Sequence, residues 1–123
     1  MTEKKRVMVL DDSKTIRTTT EGYLRELGYD VQCCTDGFNG ISHIVDFNPD
    51  ILLIDMEMPR MNGLQTVRLI RSSSAFKNTP IVMLSSKDGM FDMALASDAG
   101  ANDYIVKPPE KGAIQAVIKK HLG

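Results

Sequence analysis

The sequence of 123 residues has no tryptophan, only two cysteines and two histidines, and no excess of either charge. Its 15 lysine and arginine residues stand against 16 acidic ones, so it lacks the basic field that binding to nucleic acid requires. Its apolar runs are far shorter than the roughly 18 residues of a membrane span. Because its N-terminal residues are polar, they do not form an apolar signal core. These absences argue against a nucleic-acid partner and a membrane span, and they predict a cytoplasmic protein.

The scarce cysteines and histidines offer little chemistry. Cys33 and Cys34 are sequence neighbours whose side chains point to opposite faces of a strand, which suits buried thiols better than a disulfide. His43 and His121 fall in helical patterns away from any acidic cluster, so a histidine metal site or a catalytic triad has little support. The basic residues 4–6 are interpreted as a solvated leader.

Short runs of consecutive apolar residues recur along the chain, and each is followed by a segment with helical spacing. Runs that are apolar on both faces are typical of parallel strands covered by helices. The predicted strands lie at 7–10, 30–34, 51–54, 81–84 and 104–106, and the prolines at 49, 59, 80, 108 and 109 fall at element boundaries. Helices are predicted around 16–27, 38–45, 64–70, 94–99 and 114–118. We therefore predict an α/β fold of five βα units in one domain, with a doubly wound parallel sheet.

Polar side chains follow four of the five predicted strands. They are Asp11 and Asp12 after the first, Asp55 after the third, Ser85 and Ser86 after the fourth, and Lys107 after the fifth. The second strand ends in Thr35-Asp36-Gly37, an ordinary turn into a helix. The strands that carry chemistry should be contiguous, which predicts the order 2-1-3-4-5 with a site outside their carboxyl ends.

Each of these residues has an ordinary explanation when taken alone, such as helix capping by Asp12 or Ser13. Three carboxylates a few ångströms apart, however, repel one another by about 4 kcal/mol per pair at an effective dielectric constant of about 20. A hard divalent cation removes that repulsion, and an all-oxygen site with few protein ligands suits Mg²⁺ better than Ca²⁺ or Zn²⁺. Lys107 and Ser85 would complete a cradle for a phosphoryl group, with Asp55 as the natural nucleophile.

Four motifs together resemble the receiver domains of two-component response regulators, whose fold is CheY-like and flavodoxin-like. They are Asp-Asp-Ser at 11–13, Asp55 followed by Met-Glu-Met-Pro-Arg-Met-Asn-Gly, Leu-Ser-Ser at 84–86, and Lys107-Pro108. The resemblance covers the whole chain and implies a single receiver domain, 1–123, without an output domain. More narrowly, the segments 13–17, 75–80 and 83–89 resemble single-domain regulators of type IV pilus twitching motility.

The resemblance implies that a histidine kinase phosphorylates Asp55 in a Mg²⁺-dependent reaction. Asp12, Asp55 and the backbone carbonyl of Glu57 would hold the ion, and Asp11 would contribute largely through water. Lys107 would pair with a phosphoryl oxygen. Self-phosphorylation from a phosphodonor and hydrolysis of the product would be the only reactions, so the protein is not expected to be a conventional enzyme.

Further positions correspond to the switch of such domains. Ser85 takes the place of the switch hydroxyl and Tyr104 that of the switch aromatic, which turns inward on phosphorylation. Glu57 and Lys87 stand where receivers tune the phosphate lifetime, and we hypothesise that they pair across the site entrance and restrict attacking water. The downstream target is expected to bind the face of helix four, strand five and helix five. Pro109 stands at the start of helix five, where most receivers carry an aromatic residue, and is expected to alter that face.

Three alternative functions fit the residues less well. A phosphorylation-independent pseudo-receiver module is disfavoured because every site position has a competent residue. A phosphatase of the aspartate-nucleophile class would have a D-x-D sequence after strand one, which the segment 11–13 lacks. A flavodoxin would place its cofactor phosphate where Asp11 and Asp12 repel it.

Overall fold

The chain alternates strands and helices throughout the computed structural model, which describes residues 3–123. The elements are β1 (Arg6–Leu10), α1 (Lys14–Glu26), β2 (Asp30–Cys34), α2 (Gly37–Phe47), β3 (Ile51–Asp55), α3 (Gly63–Arg71), β4 (Ile81–Ser85), α4 (Met90–Ala99), β5 (Asp103–Val106) and α5 (Lys111–Leu122), with a short 3₁₀ turn, Ser74–Phe76, before β4. The prediction of five βα units is confirmed. The five prolines lie outside these helices and strands, also as predicted.

The five strands form one parallel sheet in the order β2-β1-β3-β4-β5. In its register, Leu10 at the end of β1 lies opposite both Cys34 and Ile54. Asp55 lies opposite Leu84, and Ser85 opposite Val106. The strand order predicted from the placement of polar residues is therefore confirmed, and the carboxyl ends of the strands meet at one edge.

The core has two layers, one on each face of the sheet. Along β3, Leu52 and Ile54 join the cluster beneath α2, α3 and α4, whereas Leu53 joins the cluster beneath α1 and α5. All apolar side chains of β3 and β4 are fully buried. Because a slip of one residue would exchange the two faces and disturb both clusters, the register that places the site is strongly specified.

The first helix shows how the local sequence leaves a carboxylate free. The hydroxyl of Ser13 accepts a hydrogen bond of 3.3 Å from the backbone N–H of Ile16, so Ser13 is the N-cap of α1. The helix ends just before Gly28, which has a φ of 92°, a conformation that glycine adopts at little steric cost. Asp12 is therefore not used as a cap and remains exposed at the sheet edge.

Two sequence interpretations need correction. Arg6 belongs to β1 rather than to a solvated leader, because its backbone N–H donates to Asp50 and its guanidinium to the carbonyl of Phe47. Pro109 is buried and precedes Glu110, the N-cap of α5, so it does not occupy the start of that helix. The peptide bond between Lys107 and Pro108 is cis.

The cysteines are free thiols on opposite faces of β2. Burial raises the pKa of Cys33 to about 12, and a hydrogen bond to Glu21 acts in the same direction. Neither thiol is activated as a nucleophile. Within residues 3–123, no helix combines the length and apolar composition needed to cross a bilayer.

Candidate functional site

Three carboxylates meet at the carboxyl edge of the sheet. Asp11 directly follows β1, Asp55 is the last residue of β3, and both are buried, whereas Asp12 is exposed. One oxygen of each carboxylate lies within 4.8 Å of the others. The backbone N–H of Asp11 continues the sheet by donating to the carbonyl of Cys34 over 3.1 Å. The structure thus brings together the three acids that the sequence singled out.

Lys107 reaches this cluster from the end of β5. Its Nζ atom lies 2.9 Å from Oδ1 of Asp55 and 2.9 Å from Oδ2 of Asp11. The backbone N–H of Lys107 donates to the carbonyl of Ser85 over 2.8 Å, which fixes the backbone from which the Lys107 side chain extends. A single ammonium group offsets only one of the three carboxylates, so the site retains an excess of negative charge.

Burial and ion pairing compete in setting the charge states here. Burial raises the pKa of Asp11 and of Asp55, against hydrogen bonds from Lys107 and from the backbone N–H groups of Ser13 and Glu57. Burial alone would lower the pKa of Lys107, but its contacts with Asp55 and Asp11 outweigh this effect and raise it. Lys107 therefore stays charged at neutral pH, while the two buried acids ionise less readily than in water.

The oxygen atoms of the site test whether a metal ion fits. Oδ2 of Asp55 is buried and has no hydrogen-bond partner among residues 3–123, and Oδ2 of Asp11 has only its ionic contact with Lys107. Buried carboxylate oxygens are normally satisfied, so an unpartnered one needs a ligand. A donor set of three carboxylates suits a hard cation that keeps several waters, as Mg²⁺ does. The residues present therefore fit Mg²⁺.

Ser85 ends the next strand and is fully buried. Its hydroxyl oxygen accepts a hydrogen bond of 3.1 Å from the backbone N–H of Lys87. Just after β3, the N–H of Met56 donates to the carbonyl of Leu84 in β4 over 2.8 Å, so the two strands stay paired beyond Asp55. These contacts place the Ser85 hydroxyl at the same sheet edge as Asp55.

Glu57 makes a contact that differs from the hypothesised one. Its Oε1 atom accepts hydrogen bonds from the backbone N–H and the hydroxyl of Ser86, at 3.1 Å and 2.9 Å. Burial would raise the pKa of Glu57, but the bonds from Ser86 outweigh it and lower the pKa. No ion pair joins Glu57 to Lys87 in the described part of the chain, because Ser86 already offers two donors where the carboxylate lies. The sequence placed Ser86 at this sheet edge but did not predict its contact with Glu57.

Tyr104 joins β5 to the loop after β4. Its hydroxyl donates to the backbone carbonyl of Lys87 over 2.7 Å and lies 3.8 Å from the sulfur of Met56. Burial raises the pKa of this phenol, so it remains a donor. The side chain of Lys87 itself is exposed and does not enter the site.

A second charged contact was missed altogether. The Arg60 guanidinium donates to Oδ2 of Asp36 over 2.8 Å and lies 5.9 Å from the ring centroid of Phe38. The sequence predicted only a turn at Asp36, and the structure shows that Asp36 also caps α2 by accepting from the N–H of Asn39. A charged residue at the tip of the loop after β3 was the available signal.

Comparison with known proteins gives a consistent result. The family model of the response regulator receiver domain matches residues 7–119. Protein PilG of Pseudomonas aeruginosa is 48% identical over 117 residues, which is 95% of this chain and 87% of that protein.

Solved structures agree at the level of the fold. The chemotaxis protein CheY4 of Vibrio cholerae superposes with a TM-score of 0.93 at 28% identity, covering 98% of this chain and 100% of that one. The receiver domain of the sensor histidine kinase PA1611 of Pseudomonas aeruginosa, with a magnesium ion coordinated in its active-site cleft, gives 0.89 at 26% identity, covering 97% and 98%.

Proposed function

The chain is a receiver domain of the response regulator family, and from this we propose that it is a phosphorylation switch whose acceptor is Asp55. A histidine kinase is the proposed donor, and a downstream protein the proposed recipient of the signal. The observation that carries the proposal is the buried carboxylate of Asp55, which has an unpartnered Oδ2 and shares its edge with two further acids and one lysine. A structural role gives no reason for this concentration of charge.

The reaction that this site supports is phosphoryl transfer to a carboxylate. An oxygen of Asp55 attacks phosphorus, the bond from phosphorus to the donor histidine breaks, and the electron pair remains on the leaving imidazole. Lys107, at 2.9 Å from Asp55, is placed to neutralise a phosphoryl oxygen. Asp12, Asp55 and the backbone carbonyl of Glu57 would hold Mg²⁺, with Asp11 acting largely through water. When bound, the ion would neutralise phosphoryl oxygens and the carboxylate cluster together.

The proposed switch couples the acceptor to the loop after β4. The hydroxyl of Ser85 would donate to the phosphoryl group and draw that loop inward. Tyr104 is the proposed switch aromatic: its side chain already packs inward beside Met56 and bonds the carbonyl of Lys87, and the movement of the loop would hold it there. Glu57 and Lys87 retain a proposed role in setting the phosphate lifetime, with Glu57 acting from its contact with Ser86.

The proposed output surface is the face of α4, β5 and α5. Support comes from exposed apolar side chains on this face. Met90 and Phe91 at the start of α4 are 87% and 75% exposed, and Met93 and Val106 are also exposed. Met56 and Met58, by contrast, are buried and fill the core. Exposed methionines suit an adaptable protein-binding surface.

The proposed pathway is motility signalling of the twitching or chemotaxis type, in the cytoplasm. The three segments that resemble single-domain regulators of type IV pilus motility support it. The 48% identity to Protein PilG over 95% of the chain supports it further.

Phosphorylation of the purified protein tests the proposed function. With Mg²⁺ and a small-molecule phosphodonor, wild type should gain one phosphoryl group in an acid-stable, base-labile linkage, detected by mass spectrometry. Asp55→Asn should gain none, whereas Asp46→Asn, which changes an exposed aspartate on α2, should react like wild type. Failure of wild type to react would favour the phosphorylation-independent module instead.

A pull-down then tests the output. Phosphorylated wild type should retain a protein partner that Asp55→Asn does not. Equal retention by both proteins would contradict a switch in binding.

A further inference from the structure

Arg60 has an uncommon backbone conformation in the loop between β3 and α3. Its φ is 66°, in the left-handed region that non-glycine residues rarely adopt. The N–H of Met61 donates to the carbonyl of Pro59 over 2.8 Å, so Arg60 is the central residue of a three-residue turn. Turns of this type with positive φ are strained and persist only when their surroundings hold them.

Two contacts of its own side chain hold Arg60 in place. One is the 2.8 Å bond to Oδ2 of Asp36, and the other is a cation–π contact in which the guanidinium carbon lies 5.9 Å from the centroid of the Phe38 ring. Asp36 is itself fixed, because its Oδ1 accepts a bond of 2.8 Å from the N–H of Asn39. One oxygen of this nearly buried carboxylate thus caps α2, and the other joins the start of α2 to the loop after β3.

Packing around the turn adds a third contact. A Cβ atom at Gly37, the first residue of α2, would lie 2.8 Å from the terminal methyl of Met61. The Met61 side chain thus packs against the start of α2, and a Cβ atom there would also clash with the hydroxyl oxygen of Thr66 on α3. The tip of the loop, residues 60 and 61, is therefore seated on the N-terminus of α2.

This contact joins the loops that follow the two neighbours of β1. β2 and β3 each pair with β1 and not with one another. Asp36 follows β2 and Arg60 follows β3, so the bond between them spans the end of β1, where Asp11 and Asp12 emerge.

The two ends of the same loop meet next to Asp55. The N–H of Gly63 donates to the carbonyl of Met56 over 3.1 Å, and a Cβ atom at Gly63 would lie 2.7 Å from the Cα of Met56. Inside this closed loop, the N–H of Glu57 donates to Oδ1 of Asp55 over 3.0 Å. With its base closed and its tip held, the loop leaves the Glu57 carbonyl little freedom.

We propose that Arg60 is a positioning residue for Mg²⁺ binding, acting through Asp36 and Phe38 on the loop that carries the Glu57 carbonyl. This inference rests on the proposed function. Arg60 is not a catalytic residue, because its contacts are with Asp36 and Phe38 and not with the three carboxylates. It acts by fixing the direction of a backbone oxygen that would otherwise vary with the loop.

Arg60→Gly tests the inference, with Mg²⁺ alone as the probe in calorimetric titrations. Glycine adopts the left-handed conformation freely, so the thermal unfolding temperature without Mg²⁺ should change little. The dissociation constant for Mg²⁺ should rise by about tenfold, as for the loss of other residues that orient metal ligands. A fall in unfolding temperature with unchanged Mg²⁺ affinity would show a merely structural role and overturn the inference.

Asp36→Asn provides the matched test from the other partner. Asparagine is an equally good N-cap, so α2 keeps its start while the ion pair with Arg60 loses its charge. This variant should also weaken Mg²⁺ binding, and the double variant with Arg60→Gly should be no weaker than the worse single one, since both act on one contact. Additive losses would contradict action through that contact.

Arg68→Ala is the control for removing an exposed arginine, because Arg68 lies on α3 with only a 3.9 Å contact to Asp98. Its Mg²⁺ affinity should equal that of wild type. If wild type and control bind Mg²⁺ and both test variants bind it equally well, the inference alone is overturned. If wild type binds no Mg²⁺, the proposed function fails together with it.

Discussion

Individual residues of this molecule show a conflict between function and stability. Asp55 is 1% exposed, and burial raises its pKa, so the folded state holds the proton of this group more strongly than the unfolded state does. A raised carboxyl pKa means that stability falls as pH rises through the unfolded value and on to the folded value. At neutral pH the ionised carboxylate of Asp55 therefore destabilises the metal-free fold.

We expect Asp55→Asn to raise the free energy of unfolding of the metal-free protein by about 1–2 kcal/mol, because it removes a buried charge with an unpartnered oxygen. Lys107 keeps Asp11 as its ion-pair partner. Urea unfolding with and without Mg²⁺ measures the effect. Mg²⁺ should stabilise wild type and stabilise the variant much less. A variant less stable than wild type without Mg²⁺ would contradict this account.

Thr20 on α1 is a second buried polar group that destabilises the fold. Its side chain is fully buried, and its hydroxyl has no hydrogen-bond partner among residues 3–123. Thr20→Val keeps the shape and removes the polar group, and should raise the free energy of unfolding by about 1 kcal/mol. Thr20→Ala, measured alongside by urea unfolding, should not stabilise, because it leaves a cavity.

At the scale of elements, one side chain hydrogen-bonds the end of α3 to two other segments of the chain. The guanidinium of Arg71 donates to the carbonyls of Gly100, Phe76 and Thr79 and to Oδ1 of Asn102, at 2.6 to 2.9 Å. Burial lowers the pKa of Arg71, and no carboxylate pairs with it in the described part of the chain. The end of α3, the segment before β4 and the turn from α4 to β5 thus share one anchor.

Arg71→Lys should lower the free energy of unfolding by about 2–3 kcal/mol, since an ammonium cannot reproduce the planar fork of donors and hydrogen bonds to charged groups are strong. Arg68→Ala on the same helix should change it by less than about 1 kcal/mol, because exposed ion pairs contribute little. Thermal and urea unfolding compare the two variants. Equal effects would show that the Arg71 contacts are not the anchor.

The start of β5 and the end of α5 are joined by Asp103, which accepts from Lys120 and His121 at 3.1 Å each. Burial would raise the pKa of Asp103, but the bonds from Tyr104, Lys120 and His121 outweigh it and lower the pKa. A lowered carboxyl pKa contributes stability above the unfolded value, and this stability is lost as pH falls through the folded value.

Asp103→Asn should therefore be less stable than wild type at neutral pH, with a difference that shrinks as pH falls below about 4. Urea unfolding at a series of pH values measures it. A difference that stays constant down to the lowest pH would rule out the charge of Asp103 as its source.

For the whole molecule, the sequence was sufficient where periodicity and strand ends decide the structure. The strand order followed from polar residues after apolar runs, because parallel strands present their carboxyl ends at one edge. It was insufficient where loops meet in space. The bond from Ser86 to Glu57 and the bond from Arg60 to Asp36 join segments 29 and 24 residues apart. No local pattern predicts which of several nearby donors such a carboxylate takes.

The way α4 is attached has a further consequence. Its buried residues are Ala96 and Ala99, and Leu95 is partly buried against the same cluster, while Met90 and Phe91 face solvent. Burial of two methyl groups contributes about 1–2 kcal/mol. A hydrogen bond to a charged group contributes about 1.5–3 kcal/mol, so one such bond at the neighbouring strand end is comparable to the burial free energy of these two methyl groups. The small side chains beneath α4 thus fix the position of this helix only weakly, so that gaining or losing one hydrogen bond at the neighbouring strand end would be enough to shift it.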